Sequence, residues 1–314
     1  MEMRSLGHSG LRVSVVGLGC NNFGARLDLA ATRRVVDRAL DAGITFFDTA
    51  DSYGNRGGSE TCLGEALGER RQRIVLASKF ASPMDDAQTL KGASRRYIMS
   101  AVEASLRRLK TDWIDLYQMH WPDPLTPMEE TLRALDDLVR QGKVRYLGCS
   151  NLAPWQVADA AWTARHHGLH RFISTQNELS LLAREAEKSL FPLLSAYGMG
   201  FLPYYPLASG LLTGKYKRGA PLPAGRLQSV KMWADRFLTE RNWTIVERLE
   251  AFCATRGRSL AELAFGWLAT QPEVSSIIAG ATTPEQIDAN VAAAAWRLSA
   301  DEMREVDRLA SDAP

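Results

Sequence analysis

The sequence predicts an α/β protein built as a closed (β/α)8 TIM barrel, with a β-hairpin before the barrel and extra C-terminal helices. Three observations carry that expectation. A short apolar run followed by a helical pattern recurs eight times, with strands near residues 15, 45, 75, 115, 145, 173, 200 and 276. The runs lack strict alternation, as expected of strands buried on both faces in a parallel sheet. Eight such units in 314 residues suit a closed barrel better than an open doubly wound sheet. No low-complexity linker divides the chain, so residues 1–314 read as one domain.

The elements follow in order. RSLGHSGLRVS sets a glycine-containing turn between two extended stretches, the pattern of a small hairpin. VVGLGC is the first barrel strand, and residues 28–42 carry a helical pattern closed by Gly43. ITFFDTA is the second strand, with SETCLGEALGE a helix opened by Ser59. IVLASKF precedes a helix over residues 94–109. WIDLYQMH precedes PMEETLRALDDLVRQG, which has acids in its first turn and a glycine after its last. VRYLGCSN leads to PWQVADAAWTARHHG, with proline at its start. FISTQNE, a helix near 186–197 and MGFLPYYPL continue the rhythm. Residues 208–238 read as a long polar connection rich in Gly, Pro, Lys and Arg. Helical stretches around 240–256 and 259–270 precede the strand VSSIIAG, and PEQIDANVAAAAW and residues 299–310 close the chain.

Composition excludes several classes of function. The chain is 46% apolar and 24% charged, ordinary for a globular protein, with a net charge of +2 that offers no polyanion-binding surface. Nucleic acid is therefore not an expected partner. No run of 18 apolar residues occurs, and MEMRSLGHSG lacks an apolar signal region, so neither a membrane span nor a leader is expected. Cys20, Cys62, Cys149 and Cys253 are scattered, with no CxxC and no zinc spacing, which suggests reduced, partly buried thiols and a cytoplasmic setting. His166 and His167 are adjacent, do not share a helix face, and make a poor metal pair. No metal site is expected.

The polar residues fall where barrel strands end, which is where such folds place their chemistry. The second barrel strand ends in Asp48, with Tyr53 five residues on, and the third ends in Lys79. The fourth ends in His120, the fifth in Ser150–Asn151, the sixth in Gln176–Asn177, and the seventh runs into Tyr204–Tyr205–Pro206. Singly, each has an ordinary reading as a cap, a turn or a solvated group. Four titratable groups on successive strands at one end of one barrel point to a site. A phenol is a weak acid, with a reference pKa near ~10, and a neighbouring ammonium favours its ionised form. Lys79 is the expected source of that charge, with Asp48 holding it protonated and in place. His120 is positioned to donate to a substrate oxygen. The set suits a reaction that turns a carbonyl oxygen into an alkoxide.

DTADSYG, LASKF, QMHWPD, CSN, TQNE, YYPLASGLLTGK and GATTPEQIDAN occur in this order. Together they resemble the aldo-keto reductase superfamily, in its bacterial branch close to the potassium-channel β-subunit type. The resemblance spans essentially the whole chain and implies a nicotinamide-dependent carbonyl reductase. Carried over by motif, the catalytic residues are Asp48, Tyr53, Lys79 and His120, with Tyr53 the general acid. Ser150, Asn151 and Gln176 would bind the nicotinamide carboxamide, and Tyr204 would stack on its ring. Tyr205, Pro206, Leu207, Ala208 and Gly210, with Lys215 and Arg226, would wrap the phosphates. Gly280, Thr282, Gln286 and Asn290 would hold the adenosine end, and Cys20 and Asn21 would line the cofactor or substrate side. The substrate, a small carbonyl compound, would be framed by Phe23, Tyr53, Phe80, His120, Trp121 and Tyr205. Contributions are expected from residues 83–93 and 227–236, with Trp233 and Phe237 in a mobile flap or in ordinary helix packing.

GLGCNN has Asn22 at the third glycine position of a dinucleotide fingerprint, so barrel loops must hold the cofactor instead. Many relatives carry an arginine in the segment GATTPEQIDAN, where this chain has Thr282 after Gly280–Ala281, with Gln286 following. NADPH/NADP+ is therefore expected with a reduced preference, NADH being the other candidate. His120 is the form expected of an active reductase. Two other readings stand beside that one: a cofactor-binding redox-sensing regulatory subunit, and an NAD-linked sugar or alcohol dehydrogenase. Oligomeric state and natural substrate are not legible in the sequence.

Overall fold

A computed structural model describes residues 1–311 of the chain. Strands β1 (Met3–Ser5) and β2 (Arg12–Ser14) pair antiparallel as the N-terminal hairpin. Eight parallel strands then close a barrel: β3 (Val16–Gly19), β4 (Phe46–Asp48), β5 (Val75–Phe80), β6 (Ile114–Met119), β7 (Val144–Ser150), β8 (Phe172–Glu178), β9 (Gly200–Tyr204) and β10 (Ile277–Gly280). β10 pairs with β3 and β9, which closes the ring. All eight expected barrel strands are present.

The hairpin plugs the ring. Leu6 and Val13 are fully buried and pack with Phe46, Ala77, Leu116, Leu202 and Ile278 in a cluster separate from the main core. Its turn needs Gly7, at φ +58°, where a Cβ would lie 2.5 Å from the backbone nitrogen of Gly200. The larger core lies between the strands and the outer helices.

Several helices begin at short polar side chains that cap them. Asp28 accepts from the amide of Ala31 at the head of Leu29–Asp41, and Ser94 from that of Tyr97 at the head of Arg95–Leu109. Met128–Arg140, Pro154–His167 and Glu185–Tyr197 follow β6, β7 and β8. Glu240–Ala254 and Leu260–Thr270 precede β10, and Pro284–Ala293 and Ala300–Ala310 follow it. The last helix and Leu260–Thr270 both carry complete Ser–Glu capping boxes.

Two expectations change. Ser59 stands at the start of the regular helix, as expected, but does not cap it. The helical segment is Tyr53–Leu67, but residues 54–57 all have positive φ, and Ser59 lies fully buried with its hydroxyl donating to the Cys20 carbonyl. The connection over 208–238 is not featureless: it holds a 3-10 turn, Ala208–Thr213, and short helices Arg226–Ser229 and Lys231–Phe237.

Candidate active site

The barrel register brings the polar strand ends together. Gly19 pairs with Asp48, Lys79 with Gln118, Gln118 with Gly148, and Ser150 with Gln176. Gly148 leaves room there, since a Cβ would crowd the Gln118 side chain at 3.1 Å and Ser174 Oγ at 3.0 Å.

Asp48 is the hub. Lys79 Nζ donates to Asp48 Oδ2 at 2.6 Å, and Gln118 and Gln176 donate to Oδ1 at 3.0 and 2.9 Å. Lys79 also donates to the Thr49 carbonyl at 3.0 Å and lies 3.4 Å from the Tyr53 hydroxyl. Burial works to strip the Lys79 ammonium of its proton, but the charges of Asp48 and Tyr53 and the hydrogen bonds to both together outweigh it and hold the group above the ordinary lysine value.

Tyr53 departs from the simple expectation of a depressed phenol. Burial pushes it above its usual value, and Lys79 pulls it down without cancelling that effect. His120 meets Tyr53 edge-on at 5.6 Å between centroids, and Ser82 Oγ lies 3.1 Å from its Nδ1. Burial, then the Lys79 charge, hold His120 well below the usual imidazole value, so it is neutral at neutral pH.

These groups open into a cavity of about 1030 Å³. Its lining takes in Asp48, Tyr53, His120, Ser150, Asn151 and Gln176 at the base. Asn21, Trp121, Tyr204, Tyr205, Pro206, Leu207, Gly210, Lys215 and Arg226 form its walls, with Gly280, Thr282, Gln286 and Asn290 at the β10 end. Five expected residues stand elsewhere. Phe23 and Phe80 are fully buried in the main core, Phe80 against Tyr117, so neither frames the cavity. Cys20 and Ala208 are likewise buried behind the wall, and Lys79 acts through Asp48 and Tyr53 without lining the space. Residues 83–93 contribute nothing to the lining, whereas Ser82 does. Trp233 lines the cavity and meets Tyr205 edge-on, while Phe237 is buried beneath it.

The segment after β9 has the form of a cradle for anions. Tyr205, Ala208, Ser209 and Gly210 all adopt positive φ, conformations costly for the three non-glycine residues and held only by surrounding structure. Ser209 Oγ is buried on the cavity wall without a hydrogen-bond partner. Arg26, Lys215 and Arg226 line the cavity, and among the described residues none has a carboxylate partner. A dinucleotide phosphate group fits this donor set. At the β10 end, the amide and hydroxyl of Thr282 both lie within bonding distance of Gln286 Oε1, at 2.8 and 3.2 Å.

Sequence reasoning missed Gln118, Ser82 and Arg26. Gln118 had a legible signal, being an uncharged polar side chain in a mostly apolar strand two residues before His120. The others sit in loops whose direction the sequence does not reveal.

All four thiols are raised by burial, Cys149 and Cys253 to about 12, so none is poised as a reactive thiolate. Among the described residues there is no cluster of His, Cys, Asp or Glu fit to hold a metal ion, and no helix long and apolar enough to cross a membrane.

Residues 15–311 match the profile described as Aldo/keto reductase family. A probable voltage-gated potassium channel subunit beta of Oryza sativa subsp. japonica is 38% identical over 305 residues, covering 93% of this chain and 91% of the relative. Aldo-keto reductase YhdN of Bacillus subtilis is 34% identical over 318 residues, covering 98% and 93%. An L-glyceraldehyde 3-phosphate reductase of Escherichia coli K12 is 33% identical over 323 residues, covering 99% and 93%.

Proposed function

The chain belongs to the aldo/keto reductase family, NAD(P)H-dependent oxidoreductases, and from that premise we propose that it reduces aldehydes and ketones to alcohols with NADPH, Tyr53 supplying the proton. The observation that carries this reading is the buried Asp48–Lys79–Tyr53 chain, 2.6 and 3.4 Å between successive polar atoms, opening on a cavity shared with neutral His120.

The residues divide the work as follows. Tyr53 keeps its proton through neutral pH because burial raises it, and Lys79 stabilises the phenolate left when that proton moves to the carbonyl oxygen. Asp48 holds Lys79 charged in the dry interior, and Gln118 and Gln176 satisfy its second oxygen. When Ser82 donates to Nδ1, neutral His120 carries its N–H on Nε2 and orients the carbonyl oxygen by donating a hydrogen bond to it, keeping its proton. When bound, a reduced nicotinamide would supply the hydride for the carbonyl carbon, so that one hydride and one proton would give the alcohol.

Lys215 and Arg226, with the hydroxyl of Thr282, favour the extra phosphate of NADPH. Thr282 has to turn its hydroxyl away from Gln286 to donate, which makes the two cations the main contributors. Trp121, Tyr205 and Trp233 give the substrate end an aromatic wall suited to small carbonyls.

The direct test follows NADPH oxidation with 4-nitrobenzaldehyde by the wild type and Tyr53→Phe. A fall of about 10²–10⁴ with cofactor binding retained is expected when a positioned acid is removed. A variant keeping more than a tenth of the rate would mean that another group is the acid. A wild type that binds the cofactor but turns over no carbonyl would favour the regulatory-subunit reading.

A further inference from the structure

Behind the wall that carries Tyr53 lies a second buried polar cluster that the reaction as proposed does not use. Asp51 is 1% exposed, its Oδ2 3.3 Å from the Tyr97 hydroxyl and its Oδ1 without a partner. Glu60 is fully buried, accepts from Ser78 Oγ, and is paired with Arg108 at 2.7 Å. The Tyr117 hydroxyl, also fully buried, has no partner.

The groups around Asp51 come from every neighbouring element. Its own turn offers the Ser52 amide; the helical segment Tyr53–Leu67 offers Glu60; Arg95–Leu109 offers Tyr97 and Arg108; β6 offers Tyr117. From β5, Ser78 is spent on Glu60 and the Lys79 charge on Asp48. Two carboxyls thus share one guanidinium, already paired with Glu60. Burial, then Glu60, raise Asp51 to about 8.

The cluster flanks Tyr53 along the chain, with Asp51 before it and Glu60 after it, and the backbone beside Tyr53 is tied by its own amides. The Asp51 amide donates to the Lys79 carbonyl at 3.1 Å, and the Tyr53 amide to the Ala50 carbonyl at 3.2 Å. Directly after Tyr53, residues 54–57 have φ of 67°, 59°, 66° and 111°. For Asn55 and Arg56 such a backbone is strained and persists only when held from outside. Ser59 and Glu60 hold its far end, and Asp51 its near end.

We propose that Asp51, with Tyr97, Glu60 and Arg108, is a buried clamp that positions Tyr53, and that the clamp is closed while the Asp51 carboxyl is protonated. The inference rests on Tyr53 being the proton donor. Asp51 touches neither substrate nor cofactor and is a positioning residue. Ionising it puts a second, uncompensated carboxylate beside Glu60 in the interior, which loosens the turn and carries Tyr53 out of register.

The test is the pH dependence of kcat for 4-nitrobenzaldehyde reduction at saturating NADPH, in wild type, Asp51→Asn and Tyr97→Phe. The wild type should lose rate above about pH 8, tenfold per unit, a limb too acidic for the raised phenol of Tyr53. Asp51→Asn, which mimics the neutral acid, should keep the neutral rate within about twofold and lose the limb. Tyr97→Phe removes a donor that favours the ionised form, so its limb should move to higher pH. An unchanged limb in Asp51→Asn overturns the proposal, as does a folded Asp51→Asn inactive at pH 7. Thermal unfolding reads the same proton without turnover. A raised carboxyl makes folding less favourable as pH climbs from about 4 to about 8, so the Tm advantage of Asp51→Asn should grow across that window. A constant Tm difference also sinks the idea. A wild type without turnover, or an active Tyr53→Phe, would instead remove the Tyr53 reading and the positioning role with it.

Discussion

Asp48 accepts from Lys79, Gln118 and Gln176 in the same buried layer, so removing one donor leaves a charge the interior cannot solvate. Lys79→Met should cost about 3–5 kcal/mol of stability, the usual consequence of breaking a buried pair from one side. It should also depress carbonyl reduction as strongly as Tyr53→Phe, since the phenolate loses its stabilising charge. Denaturant unfolding and single-turnover rates measure the two effects separately. A stable, fully active Lys79→Met would show that the ion pair is structural decoration. His120 behaves differently: its value is held low by burial, so it stays neutral as pH falls through the ordinary imidazole range. An acid limb near 6.5 in the rate should therefore be missing, which a pH profile between 5 and 7 tests.

The segment between β9 and Glu240–Ala254 forms the outer wall of the cavity. Arg236 pairs with Glu178 at the end of β8 and stacks against Trp233 and Phe237, while Arg226 lies 5.8 Å from the Tyr205 ring centre. These contacts tie Lys231–Phe237 down across the cavity rather than leaving it as a free loop. The Arg236–Glu178 pair is half-exposed on the arginine side, so its net worth is modest, on the order of 1 kcal/mol. Arg236→Ala should accordingly speed cofactor dissociation by about fivefold, with little change in association, because tightness of this kind is expressed mainly in the off-rate. Stopped-flow tryptophan fluorescence reads both rates. Unchanged dissociation would place cofactor release on another segment.

At the scale of the whole molecule, cofactor choice depends on cations gathered from distant parts of the chain. Arg26 follows β3, while Lys215 and Arg226 follow β9. Charged hydrogen bonds contribute about 1.5–3 kcal/mol each, so NADPH should bind more tightly than NADH by more than tenfold. Thr282→Arg should raise NADPH affinity further and leave NADH nearly unchanged, because the two differ only in the phosphate. Thermal shift tests this directly: ligand at 100 times its Kd stabilises the fold by about 2.7 kcal/mol, so at equal concentration NADPH should raise Tm more. Equal shifts, or a larger one with NADH, would move the protein to the NAD-linked reading.

By itself the sequence determined the barrel, because short apolar runs at a regular spacing have few ways to be buried on both faces. It also determined which groups end the strands, Asp48, Lys79, His120 and Gln176 among them, since strand ends are set by local pattern. Tertiary structure decided what those patterns leave open. Phe23 and Phe80 looked like pocket aromatics by position, but the turn after β3 directs the first into the core and strand alternation next to Lys79 directs the second there. The Tyr53 phenol rises rather than falls because desolvation, a property of everything packed around it, exceeds the pull of one ammonium. Gln118 and Gly148 become partners of the site only through the register between neighbouring strands. The pairing of Asp51 with Tyr97, 46 positions apart, arises because a helix folds back over the strand end. Local chemistry is written along the chain; burial and cross-strand neighbours exist only once the barrel closes.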